Sequence, residues 1–176
     1  MKGIMFNTKY GLEQAVLDSY KTRTWRADAE PRYEVGEIVA IKQSYSTIVK
    51  NGSCEFADMY DDADSRTKHN IECSAGWDNK MFVKNEYMPH QICITAVYPC
   101  RLQDLTERQV LEEGIEKVVK NIFGGNLTAP VYTFRNADRY CSSAKEAFAW
   151  LINKLNRQGY WRSNPDGYAY EFELVK

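Results

Sequence analysis

The chain has no run of apolar residues near the ~18 to 20 that a membrane-crossing helix needs. Its first residues, Met-Lys-Gly-Ile-Met-Phe-Asn, lack the long apolar core of a secretory signal. A cytoplasmic location with no membrane partner is expected. Histidine is scarce: His69 and His90 stand apart, with no carboxylate or thiol at ligand spacing around either, so no metal site is expected and no cofactor. The five cysteines, Cys54, Cys73, Cys93, Cys100 and Cys141, are odd in number and contain no C-x-x-C pair, which disfavours both a disulfide framework and a zinc knot. An excess of one charge is missing too. Lysine plus arginine number 23 against 24 aspartates and glutamates, a net charge of -1 that excludes a generally basic nucleic-acid coat and requires any anion site to be local. Internal repeats and low-complexity linkers are absent as well.

With 176 residues, 44% hydrophobic and 27% charged, the composition is that of one globular domain able to bury a core. Its 12 tyrosines suit β-structure and base-stacking surfaces alike. Leu12, Ala15 and Val16 share a helical face; the threonine- and tryptophan-rich residues 22–26 read as extended; Gly36 turns the chain into a buried strand over 38–41. Periodicity fades over residues 44–79, where Glu55, Asp58, Asp61, Asp62 and Asp64 suggest a solvated surface excursion. Strand patterns return at 80–84 and, more strongly, at 90–98. Thr106-Glu-Arg-Gln109 and Ser143-Ala-Lys-Glu146 have the capping-box pattern of helix starts. The first predicts one bent helix or two short ones through Ile115, Val118, Val119 and Ile122 to Phe123-Gly-Gly; the second predicts a helix through Phe148, Leu151, Ile152 and Leu155. A half-buried strand closes the chain at 168–175. Strands before and after helices without regular alternation predict an α+β fold.

The densest chemistry lies in Ser19-Tyr-Lys-Thr-Arg-Thr-Trp-Arg26. An extended chain puts Thr24 and Arg26 on one face and Arg23 and Trp25 on the other. Lys21, at the helix end, can turn back toward Thr24 and bring an amine, a hydroxyl and a guanidinium together. The ordinary alternative is a solvated basic helix end stabilised by the helix dipole.

Lys21, Thr24 and Arg26 after a helix, followed by Val35-Gly-Glu-Ile-Val39, resemble the G-x-K-x-x-[TE]-x-R signature and G-[DE]-x-[VI] strand of the ASCH domain family. That resemblance implies a PUA-like mixed β-barrel with flanking helices, one domain over 1–176 with insertions near 44–79 and 124–141. Ser19 departs from it, standing where the signature has glycine. The family implies a cleft for RNA or a modified nucleoside. One branch hydrolyses N4-acetylcytidine with a lysine, a threonine and a glutamate, matched here by Lys21, Thr24 and Glu113, with Glu112 as the fallback. A threonine nucleophile needs a neutral lysine as its base, and the glutamate is suited to shuttling a proton. Arg26 is suited to a carbonyl or phosphate oxygen. Tyr20 and Trp25 are candidates for base stacking, with core packing as their alternative, and Tyr45 lines the cleft if strand ends converge. Three functions stay open: an RNA- or nucleoside-binding module, an N4-acylcytidine amidohydrolase and a non-catalytic accessory protein.

Overall fold

The computed structural model describes residues 1–52, 54–121 and 128–175. In chain order the elements are β1 (Lys2–Ile4), α1 (Leu12–Leu17), β2 (Arg23–Arg26), β3 (Ile38–Ile41), α2 (Tyr45–Asn51), α3 (Glu55–Asp62), α4 (Ser65–Glu72), β4 (Gln91–Arg101), α5 (Glu107–Leu111), β5 (Glu116–Asn121), β6 (Thr128–Thr133), α6 (Ala144–Leu155), α7 (Tyr160–Ser163) and β7 (Asp166–Leu174). The architecture is mixed α+β. Its contacts divide into two compact units, one holding Met1–Phe6, Gly36–Cys93 and the residues from Leu174 onward, the other Asn7–Val35 and Ile94–Glu173.

In the first unit, β1 runs parallel to β3, with Ile4 opposite Ile41, and β3 runs antiparallel to the start of β4, with Ile38 opposite Cys93. The stretch 44–79 is not a surface excursion. It forms α2, α3 and α4, started by Ser44, whose hydroxyl accepts from Thr47 N, and by Asp64, whose carboxylate accepts from Arg66 N at 2.8 Å and Thr67 N at 3.0 Å. Tyr45, Ile48, Phe56, Val83 and Met88 close over Ala40 as an apolar core, while the acidic side chains stay outside. At 80–84 the chain makes a 3-10 turn, Lys80–Phe82, instead of a strand. Met81 and Phe82 remain exposed there, and only Val83 of this apolar run enters the core.

The second unit continues β4 and adds β7 and β2 in that order, with Thr24 opposite Tyr170 and Arg26 opposite Tyr168. Gly167 is required at this pairing, because a Cβ on it would lie 2.3 Å from Arg26 O and 2.6 Å from the Trp25 ring. Thr106 and Gln109 complete a reciprocal capping box, Gln109 Oε1 accepting from Thr106 N at 2.9 Å. Ser143 caps α6 by accepting from Glu146 N, but the Glu146 carboxylate reaches Ser142 N instead of closing the box. The helix read through 115–122 ends much earlier. α5 stops at Leu111, Gly114 reverses the chain at φ +97°, and the β-branched Val118 and Val119 enter β5, paired with Val131 and Pro130 of β6. β-branched residues at helical spacing satisfy either period, and pairing with β6 decides it. Ile122 and the Phe123-Gly-Gly end lie outside the described residues, as does the first part of 124–141.

Candidate functional site

All the chemistry read from residues 19–26 and 113 falls in the second unit. α1 is capped at Asp18, and Ser19 just beyond it adopts φ +55°. Ser19 N donates to Val16 O at 2.9 Å and Tyr20 N to Ala15 O at 2.8 Å, a left-handed close to the helix. Serine therefore takes the conformation that glycine would adopt freely, at a cost of ~1–2 kcal/mol for an L-residue. Lys21 N also reaches Ala15 O at 2.8 Å, so the lysine leaves the helix in a fixed direction.

β2 uses only one edge for strand pairing. Phe172 N donates to Thr22 O, so alternation points the polar groups of residues 23 and 25 away from β7. An unpaired strand edge needs other partners, and the segment after α5 supplies them. Arg23 N donates to Glu112 O at 3.1 Å, and Trp25 N donates to Glu113 Oε1 at 2.5 Å. Lys21 Nζ closes the remaining gap by donating to Arg23 O at 2.6 Å. The same ammonium donates to Glu113 O at 2.8 Å and to Glu113 Oε2 at 2.6 Å, which employs all three of its protons. Gly114 lies against the Lys21 stem: a Cβ on it would stand 3.4 Å from Lys21 Cβ and Cδ.

Both side chains are withdrawn from water, Lys21 to 2% exposure and Glu113 to 5%. Burial pushes the Lys21 ammonium below its ordinary pKa, the Glu113 carboxylate opposes that, and the Arg26 and Arg23 charges add to the lowering. The pair is a closed, water-excluded hydrogen-bonded unit in which burial works against the ammonium charge.

Thr24 is the residue whose two peptide bonds this pair grips, through Arg23 O on one side and Trp25 N on the other. Among the described residues its hydroxyl has no hydrogen-bond partner. Across the strand stands Tyr170, whose hydroxyl donates to Asp28 Oδ2 and accepts from Arg32 N, both at 2.9 Å, and whose pKa burial pushes up to about 12. Tyr33 meets the Tyr170 ring edge-on at 5.3 Å. The charge of Arg26 is felt by both Lys21 and Tyr33. Trp25 is buried and its indole N–H donates to Cys100 O, an anchoring contact. Tyr20 keeps its ring 42% exposed while its hydroxyl donates to Ile115 O. Tyr45 belongs to the first unit, buried with its ring stacked on Phe56 at 4.6 Å.

Arg23 is a residue that the motif leaves unassigned. It is 4% exposed, donates through Nε to Glu112 at 2.9 Å and through Nη2 to Glu171 at 2.5 Å, and lies 5.3 Å from the centre of the Tyr98 ring. Among the described residues its buried Nη1 has no acceptor. The signal in the sequence was its place on the Trp25 face of β2, but Glu171 is 148 positions away and no local pattern joins them. A cleft of about 540 Å³ borders this cluster, lined by Thr22, Arg23, Thr95, Thr106, Arg108, Gln109, Glu112, Glu171, Phe172 and Glu173.

Among the described residues, no group of three or more histidine, cysteine, aspartate or glutamate side chains is placed to hold a metal ion. No helix among the described residues is long and apolar enough to cross a membrane. The chain matches no protein-family model, no curated protein and no solved structure.

Proposed function

We propose that the chain is an ASCH-type domain, with the PUA-like β-barrel that this resemblance implies, that hydrolyses the exocyclic amide of N4-acylated cytosine nucleosides. The observation that carries this reading is the buried Lys21–Glu113 pair, clamped to the peptide bonds on either side of Thr24. A structural ion pair would serve as well with any small residue at 24, whereas a hydroxyl there gives the pair a nucleophile to activate.

The proton moves from Lys21 Nζ to Glu113 Oε2 along their hydrogen bond, leaving a neutral amine. Lys21 then takes the Thr24 hydroxyl proton as Oγ1 bonds to the amide carbonyl carbon. Glu113 returns its proton to N4 as the carbon–nitrogen bond breaks, releasing cytidine and leaving an acyl-threonine. Water attacks that ester, the pair again handling the protons, and the carboxylic acid departs. Arg26 and the exposed ring of Tyr20 are suited to the carbonyl oxygen and the pyrimidine face.

RNA binding by a cationic groove finds less support. Arg23 is engaged by two carboxylates, and the adjoining cleft sets Arg23 and Arg108 against Glu112, Glu171 and Glu173. Such a surface favours an uncharged nucleoside over a polyphosphate.

The test is purified protein with N4-acetylcytidine followed by ultraviolet absorbance. Deacylation is expected, with Thr24→Ala losing at least about a thousandfold in rate while its circular dichroism and melting stay native. Absence of conversion at high protein concentration, or full activity in Thr24→Ala, removes the reading. RNA retention that weakens with salt, without deacylation, would replace it by the binding module.

A further inference from the structure

We infer that the cavity between the start of α3 and residues 86–91, where the chain enters β4, binds an organic cation with an apolar body. It belongs wholly to the first unit, whereas Lys21, Thr24 and Glu113 belong to the second, so it stands apart from the deacylase reading. Its volume of about 660 Å³ suits a small molecule. Phe56 and Met88, each 4% exposed, and the half-buried Tyr87 give it an apolar wall. That wall is held from behind. Phe56 stacks on Tyr45 at 4.6 Å and meets the Tyr87 ring at 5.1 Å, while the Met88 sulfur accepts from Gln43 N at 3.2 Å, so the surface is formed before any ligand arrives. Met59, 45% exposed, lines both this cavity and a smaller one of about 270 Å³ that shares Phe56 and Tyr87. Its unbranched thioether can swing to fit apolar bodies of different length.

Charge selects the ligand. Glu55 and Glu86 share the wall with one imidazole, His90, so the three together are net negative whichever form the imidazole takes. Unlike Glu112, Glu171 and Glu116, which hold arginines, these two carboxylates have no hydrogen-bond or ion-pair partner among the described residues. The N-terminus of α3 adds a partial positive charge, which Glu55 and Asp58 in its first turn offset. Lys84 Nζ stands 5.4 Å from the centre of the Tyr87 ring, so the aromatic wall draws a cation from the chain itself. With Asp58 and Lys84 counted, the balance remains negative. An anion would be repelled by both carboxylates, and a neutral apolar molecule would gain the wall alone. A molecule with an ammonium head and an apolar body uses both, the head at the carboxylates and the body against Phe56, Tyr87 and Met88.

The experiment titrates the full chain at neutral pH with tryptamine, tryptophol and indole-3-propionate, indoles of like size bearing a cation, a hydroxyl and an anion, and follows binding by amide NMR. Tryptamine should bind about tenfold more tightly than tryptophol, the worth of one or two half-exposed ion pairs, with indole-3-propionate weakest. The shifted amides should lie within residues 54–59 and 86–91, and added salt should narrow the preference. Glu55→Gln combined with Glu86→Gln, both exposed positions, should bring tryptamine down to tryptophol while leaving the affinity for tryptophol unchanged. Tryptamine should also slow alkylation of Cys54, on the cavity wall, but not of the exposed Cys73. Indole-3-propionate binding as tightly as tryptamine, a tenfold preference that survives the double variant, or no binding by any of the three overturns the inference.

Discussion

Two carboxylates three residues apart, Glu113 and Glu116, meet their cations in opposite surroundings. Glu113 holds Lys21 with both side chains nearly sealed from water. Glu116 accepts from Arg135 Nε at 3.0 Å at the surface, and Arg135 also grips Asp18 at the end of α1. Both arrangements tie the segment after α5 to the region where α1 hands over to β2. At the surface the guanidinium's pKa rises and its charge is fixed, whereas burial lowers the Lys21 pKa. The same stapling thus reinforces one cation's charge at the surface and is opposed by burial at the other.

The comparison breaks most sharply at Glu113. Glu113→Ala strands the Lys21 ammonium and the Trp25 amide in the interior and should cost about 3–5 kcal/mol, read as a lower denaturation midpoint. Lys21→Met with Glu113→Leu should recover part of that loss while remaining inactive; a double variant as unstable as the single would show that the backbone bonds, not the unpaired charge, carry the cost.

Acidity gives the next effect. The folded pKa of Lys21 lies below its unfolded value, so between the two the unfolded chain binds the extra proton and stability rises with pH. This contribution is present above the unfolded value and is lost as pH falls through the folded one. Lys21→Met should flatten the rise in denaturant melts across alkaline pH, and the alkaline limb of the deacylation profile should lie below the ordinary lysine range.

Ser19→Gly should raise stability by about 1 kcal/mol by relieving the left-handed serine, as a thermal melt would record. Smallest of all, Arg135→Ala should leave the melting midpoint almost unmoved in moderate salt, because exposed pairs are screened. A large drop there would erase the distinction between the two staples.

Much of this was legible in the chain. The apolar face of α1, the Thr106 capping box and the extended stretch at 22–26 follow local sequence signals, whereas β7 is a strand as expected but buries Ala169 as well as Tyr170 and Phe172. The convergence of Lys21 and Glu113 came from resemblance, since no local rule joins an amine to an acid so far along the chain. The helices over 44–79 are hard to read because each is only seven or eight residues long, with buried side chains too few to set a period. β5 is hidden in the sequence because Ile115, Val118 and Val119 fit a helix as well as a strand until β6 supplies backbone partners. Arg23 carries no local signal because its partners are Glu112 and Glu171, one near the end of α5 and the other on β7.

The 92-residue separation between Lys21 and Glu113 also bears on how the protein comes into being. A nascent chain carrying only its first hundred residues has the amine and the alcohol but not the acid, and closing so long a loop is among the slower events of folding. Turnover should therefore trail the first secondary structure during refolding and appear only when that closure is complete.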